Sequence, residues 1–202
     1  ALNGDVSVDS LETLKLETRN VSLATLNPIL KTNVSGTLNG VVSLRDLYKK
    51  GIYESNLNIN QLTYNDFILG NVSGKADWDG VANNLKIDGN LSHNNKDIVT
   101  LKGSYDPINP SKALNLKAKF NDADLGVIEP FARGFVSDLS GTVAGQVNIK
   151  GPINSPIMQG RLDVKKGKLT FDYLRASFAF EDKILIESEN IRVQKLRLTD
   201  PE

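Results

Sequence analysis

Leu114-Asn115-Leu116-Lys117-Ala118-Lys119-Phe120 alternates apolar and polar residues without a break. A period of two sends successive side chains to opposite faces of an extended chain, so this stretch reads as a strand with one dry and one wet face. The same alternation recurs on either side, in Leu57-Asn58-Ile59-Asn60, Leu85-Lys86-Ile87-Asp88, Val147-Asn148-Ile149-Lys150 and Ile191-Arg192-Val193-Gln194. Turn signals between strands are read at Trp78-Asp79-Gly80, Asp88-Gly89-Asn90, Asn94-Asn95-Lys96 and Lys165-Lys166-Gly167-Lys168. Their spacing of roughly 8–12 residues is that of an all-β chain of about a dozen strands. Composition agrees: 21 Asn and 16 Gly supply positive-φ positions and are poor in helix interiors.

Two short helical interruptions are expected, at Asn27-Pro28-Ile29-Leu30-Lys31 and Glu129-Pro130-Phe131-Ala132-Arg133-Gly134. Each places Pro where a first helical position favours it, and Gly134 stands as a stop. If Phe131 packs its helix over the sheet, Phe131→Asp should destabilise by a few kcal/mol. Each interruption leads into a copy of one pattern: Ser35-Gly36-Thr37-Leu38-Asn39-Gly40, and Ser140-Gly141-Thr142-Val143-Ala144-Gly145. Such a repeat of roughly 100 residues predicts an extended, stacked β architecture. Residues 1–202 therefore read as one continuous repetitive β domain, with modules of approximately 24–121 and 122–202. The second module reads as truncated, and the chain as a fragment of a longer protein.

Several function classes recede on composition. Lys+Arg 24 balance Asp+Glu 24, which removes the basic surface that nucleic-acid binding needs. With no Cys and His93 as the lone histidine, neither thiolate catalysis nor a multi-imidazole metal centre can be built. No run of 18 apolar residues appears, and Ala1-Leu2-Asn3-Gly4-Asp5 has no signal-peptide character.

Asp122-Ala123-Asp124-Leu125, Ile128-Glu129-Pro130-Phe131, Leu139-Ser140-Gly141-Thr142, Gly145 and Gly151-Pro152-Ile153-Asn154-Ser155-Pro156 follow one another in order. Gly160-Arg161-Leu162, Leu169-Thr170-Phe171-Asp172-Tyr173-Leu174 and Leu196-Arg197-Leu198-Thr199-Asp200 continue the set. Together they resemble the C-terminal region of the TamB family, periplasmic subunits of the translocation and assembly module, with AsmA-like relatives sharing the architecture. The stretch from Asp172 to Phe180 is closest in character to Bacteroidetes members.

The resemblance implies an elongated curled sheet, an open half-pipe with an apolar lining and one or two short helices. From the residues alone, a closed sandwich and an open trough both satisfy a sheet with one dry face; the resemblance implies the trough. It also implies a protein anchored in the inner membrane and reaching across the periplasm. There it would carry phospholipid, acyl chains in the groove, toward the outer membrane. The alternative role is a scaffold or chaperone for outer-membrane protein assembly with a BamA/TamA-type barrel. A carbohydrate-active or adhesive β-solenoid is the third reading. The candidate lining is Leu57, Ile59, Leu85, Ile87, Leu116, Phe120, Val147, Ile149, Leu162, Val164, Phe178, Phe180, Ile184 and Ile186. On this reading Ile149→Asp should abolish lipid binding with little loss of stability. Exposed strand edges lead to an expectation of edge-to-edge self-association.

Rival motifs read as structural. Asp77-Trp78-Asp79-Gly80 lacks the further acidic positions of a calcium loop and is expected to be a surface turn. Asp122 and Asp124 are spaced for one face of a strand or for capping a helix, and capping is expected rather than metal binding. His93 reads as an exposed turn residue. The sequons at Asn20, Asn33, Asn71 and Asn90 read as strand edges, and Asp9-Ser10-Leu11 as a weak glycosylation match. Carboxylates are plentiful but lie on no aromatic platform, so no enzyme, cofactor or metal is expected.

Overall fold

A computed structural model describes residues 2–3, 13–30, 33–45, 52–129, 134–188 and 190–193. Their strands are β1 (Leu2–Asn3), β2 (Thr13–Ser22), β3 (Val34–Arg45), β4 (Ile52–Tyr64), β5 (Phe67–Asp79) and β6 (Asn84–His93). They continue with β7 (Lys96–Tyr105), β8 (Leu114–Asp124), β9 (Val136–Gly151), β10 (Ile157–Phe171), β11 (Ala176–Glu187) and β12 (Asn190–Val193). All twelve form one antiparallel sheet in which spatial order is sequence order. The sheet is curled and unclosed, and the chain is 8% helical. A compact chain of 22.1 kDa would expose roughly 9,300 Å². This chain exposes 13,233 Å², in keeping with the single-layer sheet that the described residues form.

Alternation sets the two faces. In β4, Leu57 and Ile59 are half-buried while Asn56, Asn58 and Asn60 are exposed. The outer face is laced with ion pairs such as Lys102 Nζ–Asp88 Oδ2 at 2.8 Å, Lys86–Asp79 and Arg45–Glu54.

Asn residues turn the chain at Asn94-Asn95, as the sequence predicts, and also at Asn65-Asp66, which is not among the expected turns. Tyr64 pairs with Phe67 across Asn65 (φ 47°) and Asp66 (φ 72°), and His93 pairs with Lys96 across Asn94 (φ 50°) and Asn95 (φ 61°). Two consecutive positive φ values match the right-handed twist of the flanking strands, and Asn tolerates them best after Gly. Two expected turns lie instead inside strands. Asp88-Gly89-Asn90 is the middle of β6, where Gly89 faces Gly74 across the ladder. Lys165-Lys166-Gly167-Lys168 is a bulge within β10, with Lys166 at φ 50° and Gly167 packed so tightly that a Cβ would lie 2.9 Å from the Phe180 ring. A mid-strand Gly marks a close approach or a bulge as readily as a turn.

The first interruption is a 3₁₀ turn, Leu23–Leu26, running into a short α-helix, Asn27–Leu30. The second begins as a 3₁₀ turn, Leu125–Val127, whose N-cap Asp124 accepts from Gly126 N at 2.8 Å. Residues 130–133, with Phe131, lie outside the described residues, as do residues 9–11 and 196–200. Asp122 is not a cap: at φ 46° it is the extra residue of a bulge in β8.

The registers reveal a six-strand period. Gly40 faces Leu57 as Gly145 faces Leu162, and Val21 faces Leu38 as Ala123 faces Val143. Leu57 faces Gly74 as Leu162 faces Ile184, and Ala76 faces Ile87 as Ile186 faces Ile191. Leu2 faces Leu16 as Leu101 faces Ala118. Strands β1–β6 thus correspond in order to β7–β12. Bulges repeat too, at Asn20 and Asp122 and again at Gln61 and Lys166, all with φ between 46° and 54°. Leu23 and Leu125, equivalent first residues of the 3₁₀ turns, are both buried.

Candidate apolar trough

Cross-strand partners share a face, so the registers decide whether the fourteen candidate lining residues come together. They do. One row runs Leu38, Ile59, Val72, Leu91, Val99, Phe120, Gly145, Leu162, Ile184. A second runs Gly40, Leu57, Gly74, Gly89, Leu101, Ala118, Val147, Gly160, Ile186. A third carries Ile87, Leu116 and Ile149, and Leu85 lies one row further along, opposite Trp78 and Tyr105. Val164 and, past the bulge, Phe180 and Phe178 complete the same face at β10 and β11. From β2 to β11 this stripe crosses nine strand spacings, about 43 Å.

Its two ends are filled differently. Val147, Leu162, Val164 and Phe180 are buried in one cluster with Ile98, Ala123, Leu125 and Val143, and Phe120, Ile149, Ile184 and Ile186 pack against it. Leu57, Ile59, Leu85 and Ile87, toward the other end, are only half-buried, as are Leu116 and Phe178. The period explains the contrast. Where the second repeat carries Phe120, Ile184 and Ile186, the first carries Thr18, Gly74 and Ala76 at the equivalent positions. The same backbone carries larger apolar side chains in one half than in the other.

Sequence reasoning missed several members of the face. Leu91 continues the alternation of Leu85 and Ile87 and was legible as such. Ile98 was not, because the bulge between Leu91 and Ser92 in the β6–β7 ladder turns it toward the cluster out of phase. Val143 and Ala123, both 0% exposed, face each other between β8 and β9, beside the bulge at Asp122 that interrupts the period.

Asp182 lies on this face between Phe180 and Ile184, half-buried and opposite Val164; the other polar groups of note lie elsewhere. Among the described residues no buried side chain is polar or charged, and no group of three or more His, Cys, Asp or Glu is placed to hold a metal ion. His93 is exposed beside its turn. Asp79 closes the β5–β6 turn: its Oδ1 accepts from Val81 N (2.9 Å) and Ala82 N (3.0 Å), and its Oδ2 meets Lys86 Nζ at 2.7 Å. The Lys86 hydrogen bond, then the two backbone donors, lower its pKa from 3.8 to about 2. Because the folded pKa is depressed, the contribution to stability is present above pH ~4 and lost as pH falls toward 2. A carboxyl-carbon NMR titration should find its midpoint near the lower value. Lys86→Ala should move it back up; an unmoved midpoint would leave the pair without effect.

No helix among the described residues is long and apolar enough to cross a membrane. No family model, curated protein or solved structure matches the chain.

Proposed function

We propose that the apolar face is an acyl-chain trough, and that the chain is a periplasmic segment of a TamB-like protein carrying phospholipid between inner and outer membranes. The observation that carries this reading is the continuous one-sided stripe, uncovered by any second layer and free of buried polar side chains among the described residues. Acyl chains need apolar contact and no directional partner, which such a surface supplies. A bilayer core of ~30 Å holds two layers of tails, so each tail needs about 15 Å and the stripe is long enough for more than one lipid. The resemblance to the TamB family supports the same reading and places its partners in the envelope, with no catalytic role.

Ile59 is the position to test, because it is half-buried in the repeat whose apolar side chains are smaller. The native chain should co-purify with phospholipid in native mass spectrometry. Ile59→Asp should remove that lipid, since an unpaired carboxylate beside tails costs several kcal/mol. Absence of lipid from the native chain after incubation with phospholipid vesicles, or its undiminished retention by Ile59→Asp and by Leu57→Asp, would end the proposal.

A further inference from the structure

We propose that the tip of the β10–β11 hairpin, with Phe135 beside it, docks on a phospholipid bilayer. Phe135, Tyr173 and Leu174 enter the membrane surface and Arg175 meets lipid phosphate. The proposal stands on this tip and not on what the trough carries.

The six-strand period brings it out. The β10–β11 hairpin is the counterpart of β4–β5, and the two corners are built alike. Val136 faces Phe171 as Val34 faces Tyr64. Asp172 N donates to Phe135 O at 3.2 Å, as Asn65 N donates to Asn33 O at 2.8 Å. In the first repeat polar groups close the corner, with Asn33 Nδ2 donating to Asp66 Oδ1 at 3.1 Å. In the second, Phe135 replaces Asn33, and Tyr173-Leu174-Arg175 replaces the single Asp66. Phe135, Tyr173 and Leu174 are 79%, 96% and 62% exposed. One backbone serves both corners, so folding does not call for the apolar set. The tip is also pinned: Leu174 N and Arg175 N donate to Phe171 O at 3.1 and 2.8 Å, and Ser137 Oγ donates to Asp172 Oδ1 at 2.6 Å.

Size and composition select the occupant. The three side chains present roughly 400–500 Å² of apolar surface. That equals the largest apolar patch of a typical monomer, yet falls well short of the ~800 Å² each partner gives to a stable protein interface. A bilayer sets no such threshold, since binding grows with the apolar area inserted and with the attraction of cations to anionic lipid. Aromatic rings are the anchors of the membrane–water boundary, and the exposed Arg175 supplies the cation beside them. Phe171, on the trough face, sets its ring edge-on to Phe178 at 5.6 Å, so the apolar stripe continues to the foot of this tip.

Flotation with vesicles of phosphatidylethanolamine and a minor share of phosphatidylglycerol tests the tip. The native chain should rise with the vesicles. A chain that only draws single lipids into its trough stays at the bottom of the gradient, so flotation reads docking and not loading. Tyr173→Ser with Leu174→Ser should lower the affinity for vesicles about tenfold or more. Both positions are exposed, and circular dichroism checks that the sheet is intact. Val81→Ser removes an equally exposed apolar side chain at the β5–β6 turn, on the opposite rim, and should float as the native chain does. Arg175→Asn keeps a residue that accepts φ 49°. It should weaken binding to these vesicles about fivefold and leave binding to pure phosphatidylcholine vesicles unchanged. A native chain that floats yet holds no lipid of its own would keep the tip and end the trough. Three results would each overturn the proposal: a native chain that does not float, undiminished flotation of the double variant, or an equal loss on Val81→Ser. Dimerisation that the double variant abolishes, without flotation, would give the tip to a protein partner instead.

Discussion

Gly145→Val is expected to lower the unfolding free energy by roughly 3–5 kcal/mol, through backbone strain and overpacking together. Gly145 has φ 142°, and a Cβ there would sit 2.2 Å from the Arg161 carbonyl oxygen and 2.9 Å from the Leu162 Cα. Neither obstacle is a flexible side chain, so the β9–β10 ladder would have to part. Gly89→Ala is the control on the same face. Its Cβ would meet nothing nearer than 3.6 Å, and its backbone is one that L residues adopt. That change should cost under about 1 kcal/mol. Urea denaturation of the two variants decides the matter: similar midpoints would mean that the coiling of the strands does not depend on glycine at position 145.

The second large effect concerns a pair of equivalent positions. Val164 and Ile59 occupy the same place in the two repeats, facing Val143 and Leu38. Val164 is 2% exposed and sits in the packed cluster, so Val164→Asp buries an unpaired carboxylate and should cost about 4 kcal/mol or more. Ile59 is half-buried beside smaller side chains, and Ile59→Asp should stay within about 1 kcal/mol of the native chain. Thermal or urea unfolding of both variants measures the difference. Equal losses would mean that the first repeat is as closed as the second. Ile149, which packs against the cluster, and Leu162, which lies within it, are for the same reason poor places to separate lipid binding from folding.

Much of this architecture was written in period-two alternation. Leu114 to Phe120 became β8, and all fourteen candidate lining residues fall on one face because alternation fixes parity. What alternation does not fix is depth. Whether Leu162 is buried and Leu57 half-buried depends on the facing residue of the next strand, Ile184 in one case and Gly74 in the other. Glycine was the second source of error. Gly80 marks a turn, Gly89 a close approach and Gly167 a bulge, and only the neighbouring strand distinguishes them. Asp122 and Asp124 were read alike, yet the cap is Asp124, while Asp122 takes a left-handed backbone that Asp accepts and most residues do not. Positive φ at Gln61 and Lys166 was beyond sequence reading, since neither residue type favours it.

Because every strand's neighbours in the sheet are its neighbours along the chain, no strand must wait for a distant segment before it can pair. Such a sheet assembles like a zipper, from any hairpin outward, with little loop entropy to overcome at each step. A chain emerging from one end first can lay down strands in the order they appear, and a partly emerged chain already carries the finished part of its structure. The converse is mechanical. Tension applied at the two termini meets no bond that spans the whole molecule, only the ladder between the last strand and the one before it. The expected force trace is a series of short, similar steps of a strand or hairpin each, not the single break of a sandwich pulled apart in shear.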